Sequence, residues 1–186
     1  RIIDRAALVG EIDQLIAGDT SPQEARGAFL DLLKAAMEQG RAEVRGRFNS
    51  GDANGEDVAE ALSFLADQVI RLIYDFATDH VYPAANPTEG ERLCVAAVGG
   101  YGRGELAPFS DIDLLFVLPY KETARQEQVI EYILYMLWDL KLKVGQATRS
   151  IDECVRLARS DLTIRTAMLE SRYLWGDRKL YNELRR

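Results

Sequence analysis

Over the first 80 positions, apolar residues return every three or four places. Leu8, Ile12, Leu15 and Ile16 form one set, Phe29, Leu33, Ala36 and Met37 a second, and Leu62, Leu65, Val69, Leu72, Ile73 and Phe76 a third. That period predicts at least three amphipathic helices. Ser21-Pro22-Gln23-Glu24 has the form of a capping box with proline at the first helical position, so a helix start is expected there. The polar stretch 49–57 separates the second helix from the third. After Tyr82 the tract PAANPTEGE breaks the period with two prolines and a glycine, which marks the internal boundary. Beyond it the period changes. Leu93 to Val98 is a short apolar run ending in Gly99-Gly100, and Ile112 to Leu118 is another; both read as buried strands. Residues 122–142 return to helix, with Val129, Ile130, Ile133, Leu134, Leu137 and Leu140 on one face. Lys143 to Arg149 has the length of a third strand. Ser150-Ile151-Asp152-Glu153 is a second capping box, opening a helix to about Ala158, and more helix follows an N-cap at Asp161. The expected fold class is α+β, with a helical segment over 1–82 followed by a β, β-α-β, α unit over 91–186.

Composition narrows the field. With 186 residues, 47% hydrophobic and 28% charged, the chain reads as one globular domain plus a modest extension. The net charge of −7 is uneven, about −8 over residues 1–90 and +1 over 91–186. An acidic chain does not suit non-specific nucleic-acid binding, which rests on Lys and Arg neutralising phosphates; the second half remains compatible with one anionic ligand. Cys94 and Cys154 lie far apart in sequence and His80 is the one histidine, so neither a zinc site nor a disulfide framework is expected. No window approaches the ~20 apolar residues of a membrane span, and the chain reads as cytoplasmic. Arg at position 1, and an amphipathic pattern still running at YNELRR, read as a fragment of something longer.

The chemistry concentrates in Val98 to Leu118, VGGYGRGELAPFSDIDLLFVL. Glycines after a strand let backbone N–H groups approach a phosphate. Gly102, Gly104 and Ala107 satisfy the dinucleotide pattern GxGxxA, but that reading needs a following helix, which Pro108 cuts short, and an acid at the end of the next strand. A P-loop fails because no Gly-Lys-Ser/Thr follows. Asp111 and Asp113 lie two apart, so in a strand their carboxylates share a side while Ile112, Leu114 and Phe116 pack. Two like charges opening a buried strand need compensation, and magnesium bound by carboxylates and substrate phosphates would supply it. The alternative is that Ser110-Asp111 after Pro-Phe caps a turn.

An apolar strand, Gly-Gly, about ten residues and then Asp-apolar-Asp-apolar resembles the signature of the DNA polymerase β-like nucleotidyltransferase superfamily. The longer string GGYGRGELAPFSDIDLLF, with WDLKLKVGQATRSIDECVRLARSDLTIRTAMLESRYLWGD downstream, is similar to the PII uridylyltransferase/uridylyl-removing enzymes of bacterial nitrogen control. The resemblance covers residues 91–186 densely, and the helices before residue 80 are similar only in kind. It implies a nucleotidyltransferase core with a small mixed sheet flanked by helices. It also implies Mg²⁺-dependent transfer of UMP from UTP to a tyrosine of the PII signal protein. Gly99 and Gly100 would hold the triphosphate, Ser110 would bond a terminal phosphate, and Arg103 is a further phosphate partner. Asp111 and Asp113 would bind the metal ions. Two other readings stay open, adenylyl transfer to a protein such as glutamine synthetase and a non-catalytic nucleotide-binding module.

The superfamily draws a third carboxylate from the strand after the helix, whereas here Gly145 and Gln146 stand in its place. Glu170, in Leu169-Glu170-Ser171-Arg172, is the substitute candidate, set against a surface glutamate paired with Arg172 or Arg165. The uridylyl-removing reaction belongs to a histidine-rich hydrolase site that a chain with His80 alone does not hold, so other domains are expected to carry it, along with glutamine sensing. His80 reads as a helix-end residue, and Trp138 and Trp175 as core. The acidic face of the first helices reads as solvated, or as facing a partner domain.

Overall fold

Three helices open the chain, each started by local chemistry where the start is described. Asp4 accepts from the Ala7 N–H at the head of α1 (Arg5–Ile16). Asn54 and Asp57 form a reciprocal capping box on α3 (Gly55–Phe76), while α2 (Pro22–Ser50) ends in a turn at Gly51. The computed structural model describes residues 1–18 and 22–186, and of Pro22 and Gln23 the backbone only. The capping box expected at Ser21 therefore lies outside the described residues. α3 buries Leu65, Val69, Ile70, Leu72, Ile73 and Phe76, and Phe29 of α2 stacks on Phe76 with ring centroids 4.1 Å apart. A π-type turn, Ala77–Val81, carries His80, which is exposed.

Past the proline tract come β1 (Cys94–Ala97), a single helical turn α4 (Gly99–Gly102), β2 (Ile112–Leu118), α5 (Ala124–Asp139), β3 (Val144–Ser150), α6 (Ile151–Ser160), α7 (Leu162–Leu169), β4 (Arg172–Gly176) and α8 (Arg178–Leu184). The sheet order is β3-β2-β1-β4. β2 and β3 run parallel across α5, and β1 is antiparallel to both neighbours. The fold is thus α+β with a small mixed sheet, as expected. Both capping residues read near 150–161 are in place: Ser150 accepts from Glu153 N–H, and Asp161 caps α7.

β4 departs from the sequence pattern. The sequence after Asp161 predicts continuing helix, but Arg172–Gly176 pairs with β1 instead. Five residues with Leu174 alone buried give too few alternations to announce a strand. Its end is fixed by Gly176 at φ +89°, where an added Cβ would lie 2.4 Å from the Leu93 carbonyl oxygen. Trp138 is a second correction, 46% exposed and edge-on to Tyr135 rather than core. The buried face of α5 is filled by Val129, Ile130, Ile133, Leu134 and Leu137, and Trp138 falls off it. Trp175 is half-buried and donates to Asp75, with Arg5 and Arg71 over its ring.

Along β2 the side chains divide. Ile112, Leu114, Phe116 and Leu118 join a large cluster that runs from Ile3 and Leu8 through Phe29, Leu33 and the α3 face to Ile133 and Leu137. Leu115 and Val117 join a small cluster on the other face with Cys94, Ala96, Cys154 and Leu180. The proline tract therefore interrupts the chain but not the apolar core. Gln126, buried, ties that tract down by donating to the carbonyls of Gly90 (3.0 Å) and Arg92 (2.7 Å). Both cysteines are free, and burial pushes the Cys94 thiol up to about 12 and the Cys154 thiol to about 11. Among the described residues no helix is long and apolar enough to cross a membrane.

Candidate active site

The chain leaves β1 at Ala97 and turns at once. Gly99 adopts φ +62°, the Gly102 N–H reaches the Val98 carbonyl, and the Glu105 N–H reaches that of Gly100 at 3.0 Å. The helical turn is over by Gly102, well before Pro108, so the left-handed Gly104 rather than the proline ends it. Gly102 is required by contact: a Cβ there would lie 2.4 Å from the Glu170 carbonyl oxygen and 3.1 Å from that of Ala97.

Asp111 is exposed immediately before β2, and Asp113, half-buried, is the strand's second residue. Alternation puts the Asp113 side chain on the face opposite Ile112 and Leu114. Glycine backbone frames its carboxylate from two sides. A Cβ on Gly99 would lie 3.3 Å from Oδ2, and one on Gly145 only 2.3 Å from Oδ1. Gly145 is the residue paired with Asp113 across the parallel ladder. A side chain at 145, an acid included, would occupy the space the Asp113 carboxylate holds. Burial, and then repulsion from Asp111, raises the Asp113 carboxyl above its ordinary value. Ser110 is exposed, and its N–H closes a turn onto the Ala107 carbonyl at 3.1 Å.

Glu170 sits at the C-terminal end of α7, and its carboxylate is 3.1 Å from the Arg103 guanidinium, which also holds Glu105 at 3.0 Å. The partner is therefore neither Arg172 nor Arg165. β1 lies between β4 and β2, so the segment after Glu170 packs on the glycine turn and β1 rather than on the aspartate strand. The structure thus brings Gly99, Asp111 and Asp113 together at one end of the sheet, and groups Arg103 with Glu170 at the rim of the turn.

A second group escaped the sequence reading. Asp67, 6% exposed within the apolar face of α3, accepts from the Tyr101 hydroxyl at 2.7 Å and takes both terminal nitrogens of Arg172, at 2.5 and 3.1 Å. Arg172 in turn donates to the carbonyls of Tyr101 (3.1 Å) and Gly102 (3.3 Å). The buried charge is thus paired and hydrogen-bonded, as burial demands, and the network fastens the glycine turn to α3 on one side and β4 on the other. The Leu106 N–H adds a bond to the Ala59 carbonyl at 3.3 Å. A signal was present, since Asp67 is a charge among the mostly apolar residues that α3 buries, with Ser63 and Gln68 the other polar ones; its partner, 105 residues away, was not visible by spacing.

Residues 88–174 match the family model described as a nucleotidyltransferase domain. The chain is similar to the bifunctional uridylyltransferase/uridylyl-removing enzyme of Rhodospirillum rubrum, 59% identical over 184 residues, covering 99% of this chain and 20% of that protein. It is 54% identical over 185 residues to the enzyme of the same name from Azospirillum brasilense, covering 100% of this chain and 20% of the relative. A third, from Phenylobacterium zucineum, is 58% identical over 168 residues, covering 90% and 18%. The chain spans about a fifth of the length of these relatives. The likeness takes in the helical segment as well as the sheet, and so reaches further than the motifs alone indicate.

Proposed function

We propose, from the match of residues 88–174 to a nucleotidyltransferase domain, that this chain transfers UMP from UTP to a tyrosine hydroxyl of the PII signal protein, releasing pyrophosphate. The observation that carries the reading is the framing of the Asp113 carboxylate by Gly99 and Gly145, beside Asp111. The choice of uridylyl over adenylyl is supported by the names of the relatives, each called a uridylyltransferase.

The donor set fits a divalent cation. Two carboxylates meet at the end of a strand, that of Asp113 raised by burial and then by the charge of Asp111. That is the arrangement of a magnesium site completed by substrate phosphates. Asp111 and Asp113 would hold it; when bound, the ion neutralises phosphate charge and makes the attacking hydroxyl more acidic. Gly99 and Gly100 present backbone to the triphosphate, and Ser110 donates its hydroxyl to a terminal phosphate. The tyrosine oxygen attacks the α-phosphorus, that phosphorus parts from the bridging oxygen, and pyrophosphate leaves with the bonding pair.

Glu170 is the general base of this reading. Its carboxylate is 3.1 Å from the Arg103 guanidinium. A triphosphate competes for the same guanidinium, whose planar fork suits phosphate, and so frees Glu170 to take the tyrosine proton. The opposite reading, a nucleotide-binding module without turnover, draws on Gly145 standing where a third acid would be. Removal of the uridylyl group is assigned to other parts of such enzymes.

The deciding experiment incubates the intact protein with Mg²⁺, UTP and PII and measures pyrophosphate and labelled PII. Equimolar release and labelling, with ATP inert in place of UTP, is the expected result. UTP binding without pyrophosphate would establish the module instead.

A further inference from the structure

We propose that Arg172, held in place by Asp67, is a positioning residue for the triphosphate, an inference that rests on the nucleotide site proposed above. The turn that would receive the phosphates is Gly99-Gly100-Tyr101-Gly102. Its glycines suit a close approach of phosphate to backbone, and they leave the turn little of its own to hold one conformation. Tyr101, the one side chain in the turn, is buried, and its hydroxyl donates to Asp67 at 2.7 Å. The remaining hold comes from outside. Arg172 Nε donates to the Gly102 carbonyl at 3.3 Å, and one of its terminal nitrogens donates to the Tyr101 carbonyl at 3.1 Å. Both terminal nitrogens also reach the Asp67 carboxylate.

The chemistry of the pair suits this task. A guanidinium carries its N–H donors in a fixed plane, so one side chain spans two successive carbonyls and a carboxylate at once; a lysine ammonium is a single point of charge and does not. Asp67 accepts from the Tyr101 hydroxyl and from the guanidinium, so one carboxylate fixes the turn both through its side chain and through its carbonyls. Gly102 admits the segment that carries Arg172, since a Cβ there would lie 2.4 Å from the Glu170 carbonyl oxygen. All of the Arg172 nitrogens are engaged by Asp67 and the two carbonyls, which makes Arg172 a positioning residue and not a catalytic one. Without this grip the turn spends only part of its time in the receiving position. Nucleotide affinity then falls by that fraction, and the chemistry after binding is unchanged.

The test measures, on the intact protein with Mg²⁺, the affinity for a non-hydrolysable UTP analogue, and in the transfer assay the KM for UTP and kcat. Arg172→Lys keeps the charge beside Asp67 and loses the fork. It should weaken analogue binding and raise KM about tenfold, with kcat at saturating UTP within about twofold of the parent. Asp67→Asn keeps an oxygen for the Tyr101 hydroxyl and removes the charge that orients Arg172. It should show the same split at about threefold, and it decides the matter should Arg172→Lys not fold. Leu33→Ala opens the core at a fully buried position of α2, controls for a general loss of stability, and should bind the analogue as the parent does. Unchanged analogue affinity in the Arg172 and Asp67 variants would overturn the inference, as would an equal loss in Leu33→Ala or a fall in kcat with KM unmoved. The transfer reading fails separately, if the parent binds the analogue and labels no PII.

Discussion

The two faces of the sheet divide the labour of one strand. On one face Ile112, Leu114, Phe116 and Leu118 enter a cluster built with α2, α3 and α5; on the other, Leu115 and Val117 meet four other buried residues, Cys94, Ala96, Cys154 and Leu180, and the same row of positions begins with Asp113. Each deeply buried aliphatic or aromatic side chain contributes about 1.5–3 kcal/mol of burial free energy. The packed face thus fixes where β2 lies, and the thin face carries a charge that packing would otherwise penalise. A period of two makes the separation cheap, because neighbours in sequence never share a face.

That division can be broken from either side. Phe116→Ala, on the packed face, should cost about 3–5 kcal/mol, read as a lower urea midpoint. Asp113→Asn, three positions earlier on the thin face, should do the reverse. Transfer should fall on the order of 10²-fold or more, equivalent to about 2.7 kcal/mol, while the urea midpoint at pH 7 holds or rises. The sign follows from the raised carboxyl: its charged form is disfavoured in the fold, so the ionised group costs stability above its folded pKa and regains it as pH falls through that value. A loss of stability in Asp113→Asn would show that the carboxylate supports the fold.

The smallest effect lies at the β4 edge. The Arg92 guanidinium holds the Asp177 carboxyl below its ordinary 3.8, while Asp177 caps α8 through the Leu180 N–H at 2.9 Å. A lowered carboxyl contributes stability above its unfolded value and loses it as pH falls through the folded one. Asp177→Asn keeps the cap but loses the charge paired with Arg92, so it should lower stability by about 0.2–1 kcal/mol at pH 7, and the gap to the parent should narrow below pH ~4. Denaturant curves at pH 7 and pH 3 check this.

What the sequence disclosed follows from how local each feature is. β2 was legible because seven apolar or alternating residues fall in one run, and Asp111 with Asp113 because a spacing of two needs no tertiary knowledge. The caps at Ser150 and Asp161 involve residues three apart. β4 was hidden by its brevity, and Trp138 was misplaced because an aromatic beside an apolar face is not always on it. The Arg103–Glu170 pair and the hold of Asp67 on Arg172 join segments 67 and 105 residues apart, and no periodicity reports such distances.

Asp67 also sets an order of events. A chain made from its N-terminus exposes α3, with its aspartate, long before Arg172 exists, and the strand that carries Arg172 closes the free edge of β1 after β2 and β3 are complete. Contacts so distant in sequence carry the larger loop-closure cost. The aspartates of β2 can be in position while the glycine turn still lacks the guanidinium that grips the carbonyls of Tyr101 and Gly102. On the proposed reading the triphosphate cradle is complete only with the last strand, and a polypeptide halted before residue 172 lacks the guanidinium that pairs Asp67.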